Sequence, residues 1–175
     1  RLKAEIAGGV DTRLCYAIED LVEEMAKEGD DRFDYIIIDC GPRLDMTTTN
    51  AIVALEAGNN ASHIIIPIKV DGFAIAGLSQ TIDTINRTAK ERRRLPQHWK
   101  ILQTMIERKT SAYKVGCELL KEAIPNAEYF NTKIEKSTVV PEASLAMEPL
   151  ITYAPDSKPG MQYRLLAQEI EEMNA

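Results

Sequence analysis

Strand and helix patterns alternate along these 175 residues, and the alternation predicts an α/β fold: a doubly wound parallel sheet covered by helices on both faces. Two observations carry the prediction. Tyr35-Ile36-Ile37-Ile38 and Ile64-Ile65-Ile66 are short, unbroken β-branched runs, the pattern of strands buried on both faces. Around them lie segments whose apolar residues recur every three to four positions, the pattern of amphipathic helices. No repeat, low-complexity tract or linker divides the chain, so residues 1–175 are expected to form a single α/β domain.

Taken in order, Asp11-Thr12 is a helix cap, and Leu14, Ala17, Ile18, Leu21, Val22 and Met25 give a helix over 11–28 its inner face. Gly29-Asp30-Asp31 ends it. A strand over 35–39 follows, stopped by Cys40-Gly41-Pro42. Asp45 to Asn50 opens a helix reaching about Ala57, and Gly58-Asn59-Asn60 stops it. Ser62 to Pro67 reads as the second buried strand. A long helix spans about Phe73 to Arg94, with Ile75, Leu78, Ile82 and Ile85 inward and Leu95-Pro96 closing it. Trp99 to Ile106 reads as a strand, Ala112 to Ala123 as a helix ended by Ile124-Pro125, and Tyr129 to Ile134 as a short extended piece. Residues 135–160, with Pro141, Pro149, Pro155 and Pro159, read as irregular. The last helix, about Gly160 to Met173, is expected to bury Tyr163, Leu166, Ala167 and Ile170.

The composition, 45% hydrophobic and 27% charged, is that of an ordinary soluble globular protein with a sizeable core. No apolar run approaches the ~20 residues needed to cross a bilayer, and the charged first twenty residues do not resemble a signal peptide. Cys15, Cys40 and Cys117 are odd in number and widely spaced, which suits free thiols in a reducing compartment and predicts a cytoplasmic protein. Arg1 in place of an initiator Met predicts a piece of a longer protein. The net charge of −6 is uneven: ten basic residues against three acids make Arg87–Lys121 +7, leaving −13 elsewhere. A basic segment of this kind either binds a polyanion locally or is a solvated helix end.

Candidate chemistry starts at Asp39. In an open α/β sheet, ligands sit beyond the carboxyl ends of the strands. An acid there suits a hydrated Mg²⁺, and equally suits the capping of the next turn. His63 and His98 have no metal-like partner at i+3 or i+4 and read as structural. Ala7-Gly8-Gly9-Val10 has the glycines of a phosphate loop, but Asp11-Thr12-Arg13 follows where Gly-Lys-Thr would be needed.

Seven pieces in order resemble one family. Tyr35-Ile36-Ile37-Ile38-Asp39-Cys40-Gly41-Pro42 resembles a Walker B block, Thr49-Asn50-Ala51 a T-x-N-A helix opening, and Ile66-Pro67-Ile68 the strand L-I-P-V. Phe73-Ala74-Ile75-Ala76-Gly77-Leu78-Ser79-Gln80 is similar to F-A-L-E-G-L-S-Q. Pro141-Glu142-Ala143-Ser144 resembles the S-E-A-P-S loop, and Tyr153-Ala154-Pro155-Asp156-Ser157-Lys158 resembles Y-D-P-K-S. Tyr163 with Leu166-Ala167-Gln168-Glu169 also matches Y-x-x-L-A-x-E. Together they resemble the C-terminal two-thirds of the ParA/MinD-type (deviant Walker) partition ATPases.

The resemblance implies a P-loop-NTPase-like sheet, incomplete at the N-terminal side, in an ATP-dependent switch. Such a switch dimerises around nucleotide, binds DNA nonspecifically, works at the nucleoid with a centromere-binding partner, and segregates plasmid or chromosome cargo. It implies that Asp39 binds Mg²⁺ through water, and that Lys133, Lys136, Ser137 and Glu142 lie in the nucleotide region. Glu135-Lys136-Ser137 stands where relatives carry Pro-Arg-Asn. Lys109 and Lys114 resemble DNA-binding positions, and the charge of Arg92, Arg93 and Arg94 extends that patch. The phosphate loop and catalytic residues are expected upstream of Arg1, so this chain alone is expected to be inactive. The alternative is a scaffold without a phosphate loop that binds DNA or a partner independently of nucleotide. A membrane-bound relative is disfavoured by the acidic segment Gln168-Glu169-Ile170-Glu171-Glu172 in the last helix, where a membrane-surface helix usually carries Lys or Arg.

Overall fold

The computed structural model describes residues 12–28, 33–55, 62–92 and 98–173. Their order is α1 (Arg13–Glu28), α2 (Met46–Ala54), β1 (Ile64–Lys69), α3 (Gly72–Arg92), β2 (Trp99–Thr104), α4 (Ser111–Ala123), α5 (Val139–Leu145), α6 (Leu150–Tyr153) and α7 (Lys158–Met173). This is an α/β arrangement with a parallel sheet and flanking helices, of the P-loop-NTPase-like kind. The described residues divide into two compact units. One runs through Ile64 and includes 81–98; the other comprises 65–80 and everything from Trp99 on.

In the first unit, α1 packs on α2 through Cys15, Val53 and Ala54, with Leu14, Ile18 and Ile38 against them. The cap of α2 is Asp45, whose carboxylate accepts from the Thr47 amide at 2.9 Å and the Thr48 amide at 3.4 Å. Leu21 and Val22, expected inward, are exposed. The run 35–39 also departs from expectation. It joins no strand ladder among the described residues, and Tyr35, Ile36 and Ile37 are exposed, Ile37 at 91%. Only Ile38 packs inward. A β-branched run prefers extended backbone, but it becomes a buried strand only where neighbouring strands pair its edges.

In the second unit, β1 pairs with β2. Pro67 sits inside β1 instead of ending it. Among the described residues β1 pairs along one edge only, and at its other edge the missing N–H costs nothing. Asp71 starts α3 by accepting from the Ala74 amide at 3.0 Å. α3 has residues in both units: Ile75 and Leu78 of its stripe belong to the second and Ile82 and Ile85 to the first, and all four are buried as the periodicity predicts. β2 ends at Thr104, ahead of Met105, which has a φ of 51°, and Ile106 resumes pairing. The 128–136 segment lies parallel along β2, with bridges Ile101–Tyr129 and Ile106–Glu135. The Phe130 amide donates to the Ile101 carbonyl at 3.0 Å, and the Ile134 amide to Gln103 at 3.0 Å. The expected extended piece is thus held as a partial third strand. Leu102, Phe130, Ile134 and Leu166 form the core here, with Ile170 and Met173 against it.

Residues 135–160, read as irregular, contain α5 and α6. Pro141 is the third residue of α5, and Pro149 precedes α6. A first-turn amide has no intrahelical partner, so a proline there breaks nothing. In α7 the inner face is rotated from the expected one: Pro159, Gly160 and Leu166 are buried, while Tyr163 and Ala167 are exposed.

Gly116 marks the tightest approach of α4. A Cβ there would lie 2.8 Å from Val70 Cγ1 and 3.0 Å from the Val70 carbonyl oxygen. Alanine would gain about 1 kcal/mol of helix propensity. Forcing Val70 aside costs about 1–3 kcal/mol. Gly116→Ala is therefore expected to lower stability in urea unfolding with an unchanged m-value; a more stable variant would show that Val70 yields freely.

Candidate functional site

Two groups of residues carry the expected chemistry, one in each unit. In the first, Asp39 is exposed and followed by the Cys40-Gly41-Pro42 turn into α2. Gly41, Pro42, Arg43, Asp45, Thr47 and Thr48 line a shallow open depression beside it. The Thr48 hydroxyl donates to the Arg43 carbonyl, and the Thr49 hydroxyl to the Asp45 carbonyl at 3.2 Å, which fixes this turn on α2. Burial pushes the Cys40 thiol up, and the Asp39 charge adds to it. Cys40 is therefore held as the thiol, a poor nucleophile. Among the described residues no group of three or more His, Cys, Asp or Glu could hold a metal. A lone exposed carboxylate does not cage a cation. It fits a hydrated Mg²⁺, which keeps several waters and uses one or two protein carboxylates.

The second group surrounds the 131–137 segment. Glu169 on α7 accepts from two consecutive amides, Asn131 at 2.8 Å and Thr132 at 2.9 Å, one on each carboxylate oxygen. Two turns earlier on α7, Gln162 accepts from the Glu135 amide at 2.9 Å. The Lys136 amide donates to the Ile106 carbonyl at 3.1 Å. With Ile134 bonded to Gln103, five amides between 131 and 136 are engaged. The Glu169 carboxyl is pushed up by burial, but the Thr132 and Asn131 amides, the Thr132 hydroxyl and the Lys100 charge outweigh this and hold it below its ordinary value. A depressed carboxylate contributes stability above its unfolded pKa of about 4.3 and loses it as pH falls through the lower folded value, so this contact is fully formed at neutral pH.

The side chains of this segment form ion pairs. Glu135 accepts from Lys158 Nζ at 2.7 Å and Arg108 Nε at 2.8 Å, and these two cations lower its carboxyl despite partial burial. Lys136 Nζ lies 2.6 Å from Glu107, which the bond to Lys136 holds low in turn. Lys133 is half-buried, and its Nζ donates to the Tyr113 hydroxyl at 3.5 Å. Tyr113 donates to Gln103 Oε1 at 2.7 Å and is pushed up to about 12 by burial and by Cys117, so it stays a neutral donor. The Ser137 hydroxyl accepts from the Val139 amide at 3.4 Å, and Glu142 is exposed in the first turn of α5.

Lys109 and Lys114 are exposed at the start of α4, which is capped by the Thr110 hydroxyl accepting from the Tyr113 amide at 3.2 Å. Arg108 is tied to Glu135, which removes one neighbouring charge from the free patch. Arg92 is the last residue of α3, while Arg93 and Arg94 lie outside the described residues, as does 7–10.

The structure places Lys133 against Tyr113 of α4, Lys136 against Glu107 and Ser137 at the start of α5, and it keeps Asp39 in the other unit. Sequence reasoning gave no role to Gln162 and placed Glu169 only in the last family motif and the acidic segment of the final helix, not in a site. A signal was present: Glu169 is an acid on the inner stripe of α7 with no basic residue three or four positions away.

A family profile described as "AAA domain" matches residues 9–97. The sporulation initiation inhibitor protein Soj of Bacillus subtilis is 32% identical over 144 residues, covering 79% of this chain and 52% of Soj. The chromosome partitioning protein ParA of Caulobacter vibrioides is 26% identical over 166 residues, 95% of this chain and 59% of ParA. The chromosome-partitioning ATPase Soj of Treponema pallidum is 27% identical over 151 residues, 85% of this chain and 56% of that protein. The chain spans about half the length of these curated relatives.

Proposed function

The chain belongs to the ParA/MinD-type partition ATPases, and from that premise we propose that it is part of an ATP-driven, DNA-holding switch that segregates plasmid or chromosome cargo. The observation that carries this reading is the ordered set of family motifs, led by the Asp39-Cys40-Gly41-Pro42 block; the pieces up to Gln80 lie within a profile match that covers half the chain, and the later ones follow it in order. The relatives' names supply partitioning and ATPase activity; the rest of the reading is what the family resemblance implies for the residues at its motif positions.

When bound, ATP with Mg²⁺ supplies the phosphoanhydride to be cleaved. Asp39 would hold the hydrated ion through water, and Lys133, Lys136, Ser137 and Glu142 would border the nucleotide. Asp11-Thr12-Arg13 stands where a phosphate loop needs Gly-Lys-Thr, so the 175-residue chain by itself would not turn over ATP. Lys109 and Lys114 would bind DNA phosphates with no sequence preference, Arg92 and Arg93 extending the patch. The intact protein would dimerise with nucleotide and meet a centromere-binding partner at the nucleoid in the cytoplasm. No helix among the described residues is long and apolar enough to cross a membrane.

Lys109→Glu combined with Lys114→Glu in the intact protein is the direct test. Each lost phosphate contact lowers the slope of log affinity against log salt by about 1. The double variant is expected to lose a slope of about 2 and most DNA retention at 50 mM salt, while ATP affinity stays unchanged. Undiminished retention at low salt would remove the patch from the proposal. Retention by the unmodified protein that ignores ATP would favour a nucleotide-independent scaffold.

A further inference from the structure

Most of the 131–137 segment's hydrogen-bonding capacity is spent on its own placement, and α7 supplies the decisive part. Glu169 gives both carboxylate oxygens to the Asn131 and Thr132 amides, and Gln162 fixes the Glu135 amide. Glu169 is half-buried and Ile170, beside it, packs against the core cluster, so the helix offers a rigid base. Charge-assisted bonds to backbone amides are shorter and stronger than neutral ones. Because the anchored amides are consecutive, the carboxylate sets the direction in which Lys133 leaves the loop as well as its height. Side chains bordering a bound molecule must be held within about 0.5 Å to be productive, which requires this kind of supporting contact.

We propose that Glu169, assisted by Gln162, is a positioning residue for the nucleotide: it orients the 131–137 segment so that Lys133 and Ser137 face the base. The inference rests on the nucleotide reading above and assigns that site its supporting residue. Glu169 touches no substrate itself. Glutamine at 169 keeps the length and one acceptor oxygen, whereas alanine removes both acceptors.

The test has two arms. In the 175-residue chain, hydrogen exchange at the Asn131 and Thr132 amides is expected to accelerate at least about tenfold in Glu169→Ala. Exchange at Ile101 and Ile134, bonded within the sheet, should remain unchanged. Glu169→Gln is expected to restore protection at one of the two amides. In the intact protein, Glu169→Ala is expected to raise KM for ATP about tenfold with kcat within twofold, and Glu169→Gln to recover most of the loss. Where the alanine variant fails to fold, the glutamine variant carries both arms. Amides that stay protected in Glu169→Ala overturn the positioning role alone. Fast exchange with an unaltered KM shows a structural clamp and also overturns it. An unmodified intact protein that binds no ATP overturns the nucleotide reading, and the base-positioning role with it, while the exchange arm still reads the clamp.

Discussion

Asp39→Ala in the intact protein is expected to reduce Mg²⁺-dependent ATP turnover by about 10- to 100-fold, the range found when a group that orients a metal through its outer shell is lost. Asp39 is the one carboxylate between the end of the isoleucine run and the turn into α2, and the residues around it do not duplicate it. Asp45 is committed to capping α2, at 2.9 Å from the Thr47 amide. The loss should be partly recovered by raising Mg²⁺, because a weakened metal contact is opposed by mass action. Asp39→Asn, which keeps the size and removes the charge, should resemble the alanine variant. Turnover equal to that of the unmodified protein in both variants would make Asp39 a structural residue ahead of the Cys40-Gly41-Pro42 turn and nothing more.

The second large effect concerns folding. Ile101→Ala is expected to destabilise the chain by about 2–5 kcal/mol, the cost of a cavity at a fully buried aliphatic site. Ile101 is 0% exposed on β2, paired on one side with β1 and bonded on the other to Glu128 and Phe130. The same substitution at Ile37, 91% exposed, is expected to change stability by no more than about 0.5 kcal/mol. Urea unfolding of the two variants of the 175-residue chain compares them directly. Equal losses would mean that the 35–38 run is packed in solution as its composition suggests. That would contradict the exposure seen here.

This pair of isoleucines shows what was legible. Both lie in β-branched runs, and local pattern treats them alike. Burial depends on whether another segment covers the run, which is a property of distant residues. The helices were easier to read because their hydrogen bonds are internal: α3 and α4 lie within two residues of their expected bounds, and the α3 stripe is buried as its period requires. α5 and α6 were missed because prolines were read as breakers, although a proline in a first turn disturbs no bond.

The candidate site divides the same way. Asp39, the exposed lysines at 109 and 114, and the 133–137 residues were visible from their types and order. The ion pairs Arg108–Glu135 and Lys136–Glu107 were not, since they join residues nearly thirty positions apart. The sequence by itself determined the alternating α/β elements, the family, and which residue types stand at its motif positions, because each depends only on neighbours along the chain. Only the tertiary structure decided that 128–136 lies along β2, that Glu107 and Arg108 are bound to that segment, and that Glu169 of the last helix anchors its backbone. Such contacts depend on how α7 is rotated against the core, and no short window of sequence contains that angle.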